Sequence, residues 1–102
     1  MTEFVFRPRA QQEVLEDRDW YEQKSPGLGL RFAKAVEAAL HAAAAHSMAY
    51  MLIPGSSCRR ILLKRFPYSL VFLVQPDSLV IVACFHHRRD PRLLCERVRS
   101  EA

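Results

Sequence analysis

The sequence LVIVACFHHRRDP, residues 79–91, joins an apolar run to a group of imidazoles and guanidiniums. Every residue from Leu79 to Phe85 is apolar, which predicts a strand that is covered on both faces of a sheet. The basic residues follow where that strand ends. We therefore expect a buried strand that brings positive charge to one edge of the fold, where it can meet a polyanion or an acidic protein surface.

Two further strands precede this one in the sequence. The first is predicted from Cys58 to Arg65, and the second opens at Pro67-Tyr68 and runs to about Gln75. The tight turn Pro76-Asp77-Ser78 joins the second strand to the apolar run. Because these connections are short, we expect neighbouring strands to pair antiparallel.

The N-terminal half predicts one strand and two helices. Alternation over Thr2 to Arg7 favours a short strand, and residues 9–24 show a helical stripe of apolar side chains. Leu28, Phe32, Val36 and Leu40 recur every four residues, which predicts a second helix. Ser25 is its expected N-cap, with Pro26 as the first helical residue. The two helices are expected to form an antiparallel hairpin, with Trp20 and Tyr21 in core or hairpin contacts.

These elements give the order β-α-α-β-β-β and predict an α+β domain, an antiparallel sheet packed against an N-terminal helical hairpin. Residues 1–102 fit a single domain. The tail from Asp90 to Arg99 is expected to form a short helix or an ordered extension, anchored by Leu93, Leu94 and Val98.

The composition indicates the cellular compartment and the kind of partner. The net charge is +4, and the acids concentrate in the first helix, which indicates one basic face. The three cysteines form no CxxC pair, and the sequence shows no signal peptide pattern, which favours a cytoplasmic protein with reduced thiols. No apolar run reaches about 20 residues, so we expect no membrane segment. The histidines and cysteines lack metal-ligand spacing, and no phosphate-binding glycine loop is present, so we expect no metal and no cofactor.

Two groups of side chains are candidates for function. The first surrounds the strand 58–65 and the residue that follows Pro67, and the second follows the apolar run. Both could hold a phosphate backbone or an acidic partner, although edge-strand cations also prevent aggregation, His86 can simply order a loop, and Tyr68 can belong to the core. If the chain cleaves RNA, His86 with Arg60, Lys64 and Arg65 is the expected catalytic set. The residues expected to contact a target or partner are Arg59, Arg60, Lys64, Arg65, Tyr68, His87, Arg88, Arg89 and Arg92.

At these residues the chain resembles the RelE/ParE superfamily of toxins from type II toxin–antitoxin modules, which includes plasmid stabilization proteins. The matching segments span nearly the whole chain, and their order and spacing carry the resemblance. They are Phe6-Arg7-Pro8, Trp20-Tyr21-Glu22, Gly27-Leu28-Gly29 with Phe32, Arg59-Arg60, Arg65-Phe66-Pro67-Tyr68, and His86 with Arg88-Arg89-Asp90-Pro91.

The resemblance implies a bacterial toxin that a cognate antitoxin neutralises. ParE-like members inhibit DNA gyrase, whereas RelE-like members cut mRNA on the ribosome without a metal. No tyrosine follows Tyr68, so the late tyrosine of the RelE-type set is missing, and the resemblance favours the gyrase inhibitor. The alternatives are a RelE-like endoribonuclease and a non-toxic relative that only binds antitoxin. A homodimer and a toxin–antitoxin hetero-oligomer are both open.

Overall fold

A computed structural model describes residues 2–101, in which three α-helices and a four-stranded sheet form an α+β fold, and this confirms the predicted class. The predicted order is also confirmed, and the tail adds a helix to it. In chain order the elements are β1 (Glu3–Phe6), α1 (Pro8–Lys24), α2 (Leu28–Ala45), a 3₁₀ turn (Ser47–Ala49), β2 (Cys58–Leu62), β3 (Tyr68–Val74), β4 (Ser78–His86) and α3 (Pro91–Arg99).

The sheet has the strand order β1-β4-β3-β2. β2, β3 and β4 pair antiparallel, as expected from their short connections. One correction concerns β1, which pairs parallel to β4 with Glu3 opposite Ser78 and Phe6 opposite Ile81, so the sheet is mixed rather than wholly antiparallel. The helical hairpin and two strands separate β1 from β4, and a parallel pair requires such a long connection.

The hydrophobic core lies on both faces of the sheet. On one face the hairpin side chains Phe32, Val36 and Leu40 pack against β2, β3 and β4. On the other face Leu94 and Val98 of α3 pack against Val71, Val82 and Phe85. The prediction that Leu79–Phe85 is covered on both faces is confirmed. The predicted hairpin covers one face of the sheet, and α3 covers the other. Leu93, a predicted anchor of the tail, is 45% exposed.

β1 leaves part of the outer edge of β4 uncovered. Its last contact is the backbone N–H of Arg7, which donates to the Ile81 carbonyl at 2.9 Å. One residue later a β-bulge interrupts the ladder, and Val82 has no partner between the pairs Ile81–Phe72 and Ala83–Val71. The edge of β4 from Val82 to His86 therefore needs hydrogen-bond partners that do not come from a strand.

The turn between α1 and α2 is stabilised by Glu22, a side chain of the preceding helix. Helix α2 begins at Leu28 with Gly27 as its N-cap, so the prediction of Ser25 and Pro26 in these roles is wrong. The Glu22 carboxylate accepts the N–H groups of Gly27 and Gly29 at 3.0–3.1 Å, which supplies the partners that a capping side chain would give. A carboxylate also interacts favourably with the positive end of the helix dipole.

The strand β2 is shorter than predicted. It ends at Leu62, and Arg65 adopts a left-handed φ of 68° within the turn that leads to β3. The segment before β2 covers part of its outer edge, since the Arg60 N–H donates to the Met51 carbonyl at 3.1 Å. Among the helices of residues 2–101, none combines the length and apolar character that a membrane span requires.

Candidate functional site

Two grooves flank the helical hairpin. The first, which we call the α1 groove, lies between α1 and the end of β4 and contains cavities of about 280 and 400 Å³. Both cavities are lined by Glu16, Asp17, Tyr68 and His86. The second, the α2 groove, lies between α2 and the outer strand β2 and contains cavities of about 690 and 800 Å³.

A partly buried ion pair lies at the uncovered edge of β4 beside the α1 groove. Arg97 of α3 reaches the Glu13 carboxylate of α1 with two hydrogen bonds, at 2.6 and 2.8 Å. Glu13 also accepts the Cys84 N–H at 3.1 Å, and Arg97 donates to the Val82 carbonyl at 2.8 Å. This Glu13–Arg97 clamp therefore satisfies two of the backbone groups that β1 does not reach, the Cys84 N–H and the Val82 carbonyl, and it joins helices from both faces of the sheet.

The α1 groove alters the pKa of the Asp17 carboxyl. Its pKa is raised from 3.8 to about 6, first because the carboxyl is desolvated and then because the Glu13 carboxylate lies nearby. Hydrogen bonding with Tyr68 and Cys84 opposes the increase. Among the described residues, Asp17 forms no ion pair, whereas Glu13 binds both Arg97 and Arg89. Glu16 also lines the groove and forms no ion pair with a described residue, so the groove holds two carboxylates that no cation compensates.

Tyr68 and His86 form the wall opposite Asp17. Their rings meet edge to face with centroids 4.8 Å apart, and burial raises the pKa of Tyr68 well above its ordinary value. The Nδ1 atom of His86 accepts the backbone N–H of Arg88 at 3.0 Å. Because Nδ1 is an acceptor, the neutral ring carries its hydrogen on Nε2, so that nitrogen can donate but cannot accept a proton.

The α2 groove differs from the α1 groove in charge. Its floor is the small-residue stripe Ala35, Ala38 and Ala42, and its wall includes Met51 and Leu62, which are 67% and 58% exposed. Five cations and no acid line its two cavities: Arg31, Lys34, Arg60, Lys64 and Arg65. The groove is therefore apolar along its floor and basic at its rim, which suits an acidic amphipathic segment.

A family model described as ParE toxin of type II toxin-antitoxin system, parDE, matches residues 4–91. The chain belongs to the ParE toxin family. The match includes the hairpin, all four strands and both grooves, and it ends where α3 begins. The resemblance seen in the sequence is thereby confirmed.

Solved structures share the fold of this ParE-family toxin at low sequence identity. A chain of the chromosomal ParDE TA system from P. aeruginosa is 16% identical and superposes with a TM-score of 0.69, covering 84% of this chain and 96% of that one. A chain of the intact E. coli RelBE toxin-antitoxin complex is 18% identical with a TM-score of 0.55, covering 87% and 100%. Among curated proteins, no sequence matches this toxin.

The predicted residues of the strand 58–65 reach different places in this ParE-family toxin. Arg60, Lys64 and Arg65 all line the α2 groove. Arg59 instead points its guanidinium at the Tyr50 carbonyl, 2.7 Å away, and so fastens the segment before β2. Tyr68 lies in the core with 7% exposure, and its hydroxyl side belongs to the α1 groove.

The predicted residues after the apolar run are also divided. His87 Nε2 lies 3.0 Å from the Ser69 hydroxyl on the sheet face opposite His86. Arg88 is exposed, and Arg89 lies over the Phe85 ring at 4.7 Å while reaching Glu13 at 3.4 Å. Arg92 pairs with Asp90 at the start of α3. His86 and Arg89 therefore share the α1 groove, and Arg60, Lys64 and Arg65 line the other groove.

Sequence reasoning missed the acidic side of the α1 groove. Glu13, Glu16 and Asp17 entered the sequence analysis only as acids concentrated in the first helix. Trp20 was expected in core or hairpin contacts, although it is 53% exposed. Their spacing of three and four residues with Trp20 was the available signal, because it places all four on one face of α1. Within residues 2–101, no three His, Cys, Asp or Glu side chains cluster as metal ligands.

Proposed function

We propose that this ParE-type toxin inhibits DNA gyrase by binding it and that a cognate antitoxin neutralises the toxin by occupying the α2 groove. Family membership over residues 4–91 carries the proposal. The geometry around His86 also supports it, because His86 and the cations Arg60, Lys64 and Arg65 lie in different grooves. A toxin that acts by binding does not need them to form one catalytic site.

The chemistry of the α1 groove supports binding over RNA cleavage. A ribonuclease needs a base for the 2′-hydroxyl and cations around the phosphate. His86 faces Glu16 and Asp17 across the groove, and these carboxylates repel a phosphate. In its neutral form the ring presents an N–H, so it cannot take a proton through Nε2. Arg60, Lys64 and Arg65 line the α2 groove and not the cavities that hold His86.

The α2 groove supports the antitoxin part of the proposal. The two neighbouring structures described above are toxin–antitoxin systems. Exposed Met51 and Leu62 offer apolar contact, and five cations at the rim complement an acidic segment. β2 is the outermost strand, and no described residue pairs with its outer edge beyond Arg60, so the segment can also add a strand there. Like charges at the same edge oppose pairing with a second copy of the chain.

The test of the target is induced expression of this chain alone in a bacterial host that carries a DNA-damage reporter. Growth arrest with reporter activation is expected, together with loss of supercoiling by purified gyrase. Arrest without activation, and with mRNA cut on ribosomes, would replace the proposal with the RelE-like activity. Normal growth would leave a non-toxic relative that only binds antitoxin.

The test of the groove uses the protein encoded beside this toxin as the antitoxin. Arg60→Glu with Lys64→Glu is expected to abolish neutralisation, because two rim cations become repulsive to an acidic segment. Arg99→Glu, an exposed charge reversal on α3, is the matched control and should be neutralised normally. Equal neutralisation of both variants would place the antitoxin elsewhere while leaving the gyrase result unaffected.

A further inference from the structure

The α1 groove contains a pocket whose chemistry differs from the rest of this basic protein. Its cavity of about 400 Å³ is lined by six residues: Glu16, Asp17, Trp20, Tyr21, Tyr68 and His86. Two of them are carboxylates and three are aromatic, and no lysine or arginine is present, although the chain has 15 of these residues. We call it the Asp17 pocket.

The aromatic wall of the pocket can already be seen to accept a cation. Trp20 is 53% exposed, and the ammonium of Lys24 lies over its ring at 4.8 Å. Tyr21 holds the indole from the side, with ring centroids 5.0 Å apart and nearly perpendicular planes. The indole therefore lies at the rim of the pocket, where its ring already holds the positive charge of Lys24.

The carboxylate of Asp17 supplies the charge for such a ligand. Among residues 2–101 no cation pairs with it, while Glu13 next to it is bound by Arg97 and Arg89. Glu16 is held only by Gln12, at 2.8 Å. A flat cation that stacks on an aromatic ring and binds a carboxylate with two hydrogen bonds matches this arrangement better than a compact ammonium does.

We propose that the Asp17 pocket is a docking site for a partner protein and that it receives an arginine side chain between the Asp17 carboxylate and the Trp20 ring. The charge complementarity is local, since the same toxin presents a basic rim on the opposite side of its helical hairpin. The pocket thus provides a second recognition surface with the opposite charge preference. The proposal goes beyond gyrase and antitoxin binding and does not depend on either.

The probe is the tripeptide amide acetyl-Gly-Arg-Gly-NH₂, titrated into the ¹⁵N-labelled full chain. We expect saturable chemical-shift changes of the indole N–H of Trp20, the single tryptophan, and of the backbone amides around Asp17. Asp17→Asn should weaken binding about tenfold, the loss expected for a charge-assisted contact. Asp19→Asn removes the same charge from an exposed position on the same helix and should bind like the parent.

A second variant and a pH series separate docking from a general charge effect. Trp20→Ala truncates an exposed ring and should weaken binding without unfolding the chain. Binding should also fall as the pH drops through about 6, because Asp17 becomes neutral. Glu16, Tyr21, Tyr68 and His86 face the same pocket, and Arg9, Glu13, Cys84 and Arg89 line the adjoining cavity with Asp17. The pH effect should therefore persist in His86→Gln if Asp17 causes it.

Three outcomes would overturn the proposal. The first is a tripeptide titration that does not change the chemical shift of the Trp20 indole N–H. The second is equal binding by Asp17→Asn and Asp19→Asn. The third is an acetyl-Gly-Gly-Gly-NH₂ control that binds as tightly as the arginine peptide. The gyrase and neutralisation assays are unaffected by any of these, so failure here is distinct from failure of the proposed function.

Discussion

The Glu13–Arg97 clamp gives the sharpest test of how this fold is held together. Glu13→Ala removes the acceptor of both Arg97 hydrogen bonds and the partner of the Cys84 N–H. The side chain of Arg97 is only 10% exposed, and its guanidinium would keep one partner, the Val82 carbonyl. Since an ion left unpaired in a buried site is strongly destabilising, we expect a loss of about 3 kcal/mol in the free energy of unfolding.

That loss is large for a domain of this size. Small domains are stable by about 5–15 kcal/mol, so Glu13→Ala should fold but with a melting temperature lower by roughly 12–24 °C. Glu16→Ala is the matched control, because Glu16 is exposed and binds only Gln12. It should change stability by no more than about 0.5 kcal/mol.

A double-mutant cycle in urea isolates the pair itself. Arg97→Ala should also destabilise strongly, and the variant with both changes should lose less than the sum, with a coupling of about 2 kcal/mol. Unfolding is followed by far-UV circular dichroism together with Trp20 fluorescence. A coupling below about 0.5 kcal/mol, or equal effects of Glu13→Ala and Glu16→Ala, would refute the role of the clamp in joining the helices.

Three further substitutions test the hairpin. Asp17→Asn should stabilise the fold at pH 8 by about 1 kcal/mol and change nothing near pH 3. The reason is that a carboxyl whose folded pKa is raised from 3.8 to about 6 loses stability as the pH rises between those values. Solvent screening of this partly exposed group reduces the full difference of about 3 kcal/mol. An equal effect at both pH values in urea titrations would contradict this. Glu22→Ala should cost about 1 kcal/mol in thermal unfolding, because Gly27 and Gly29 lose their N–H acceptor, and Glu22→Gln should restore part of it. Gly29→Ala would place Cβ 2.8 Å from the Arg18 carbonyl and should cost about 1–3 kcal/mol despite the better helix propensity of alanine; a rise in melting temperature would exclude this clash.

The elements with a clear period were predictable from the sequence. The four-residue repeat of Leu28, Phe32, Val36 and Leu40 correctly placed α2, and the apolar run before His86 correctly placed a strand covered on both faces. In both cases the burial pattern is a property of neighbouring residues, so local sequence contains it.

Features that depend on distant residues were not predictable in this way. The cap of α2 comes from Glu22, which lies in the preceding helix, and so the local Ser25-Pro26 signal was misleading. The parallel pairing of β1 depends on the path of the whole chain. The Glu13–Arg97 contact joins residues 84 positions apart, and neither side chain has a spacing that indicates it.

The candidate site shows the same division. The sequence indicated basic residues around β2, and the structure brings Arg60, Lys64 and Arg65 into one groove. That His86 faces carboxylates rather than these cations could not be predicted from the sequence. That arrangement is set by which side of α1 lies against β4, and this follows from packing in three dimensions.

The shortness of β1 links the fold to the Asp17 pocket. A longer β1 would pair with β4 beyond Ile81 and supply the partners of the Val82 carbonyl and the Cys84 N–H. Where β1 stops, an acidic face of α1 lies against this edge, and Glu13 accepts the Cys84 N–H and binds Arg97. Asp17, one turn later on the same face, then lies beside β4 without a backbone group or a cation to compensate it. Substitutions of Glu13 will therefore alter folding and recognition together, whereas substitutions of Asp17 can remove the charge of the pocket while the fold gains stability.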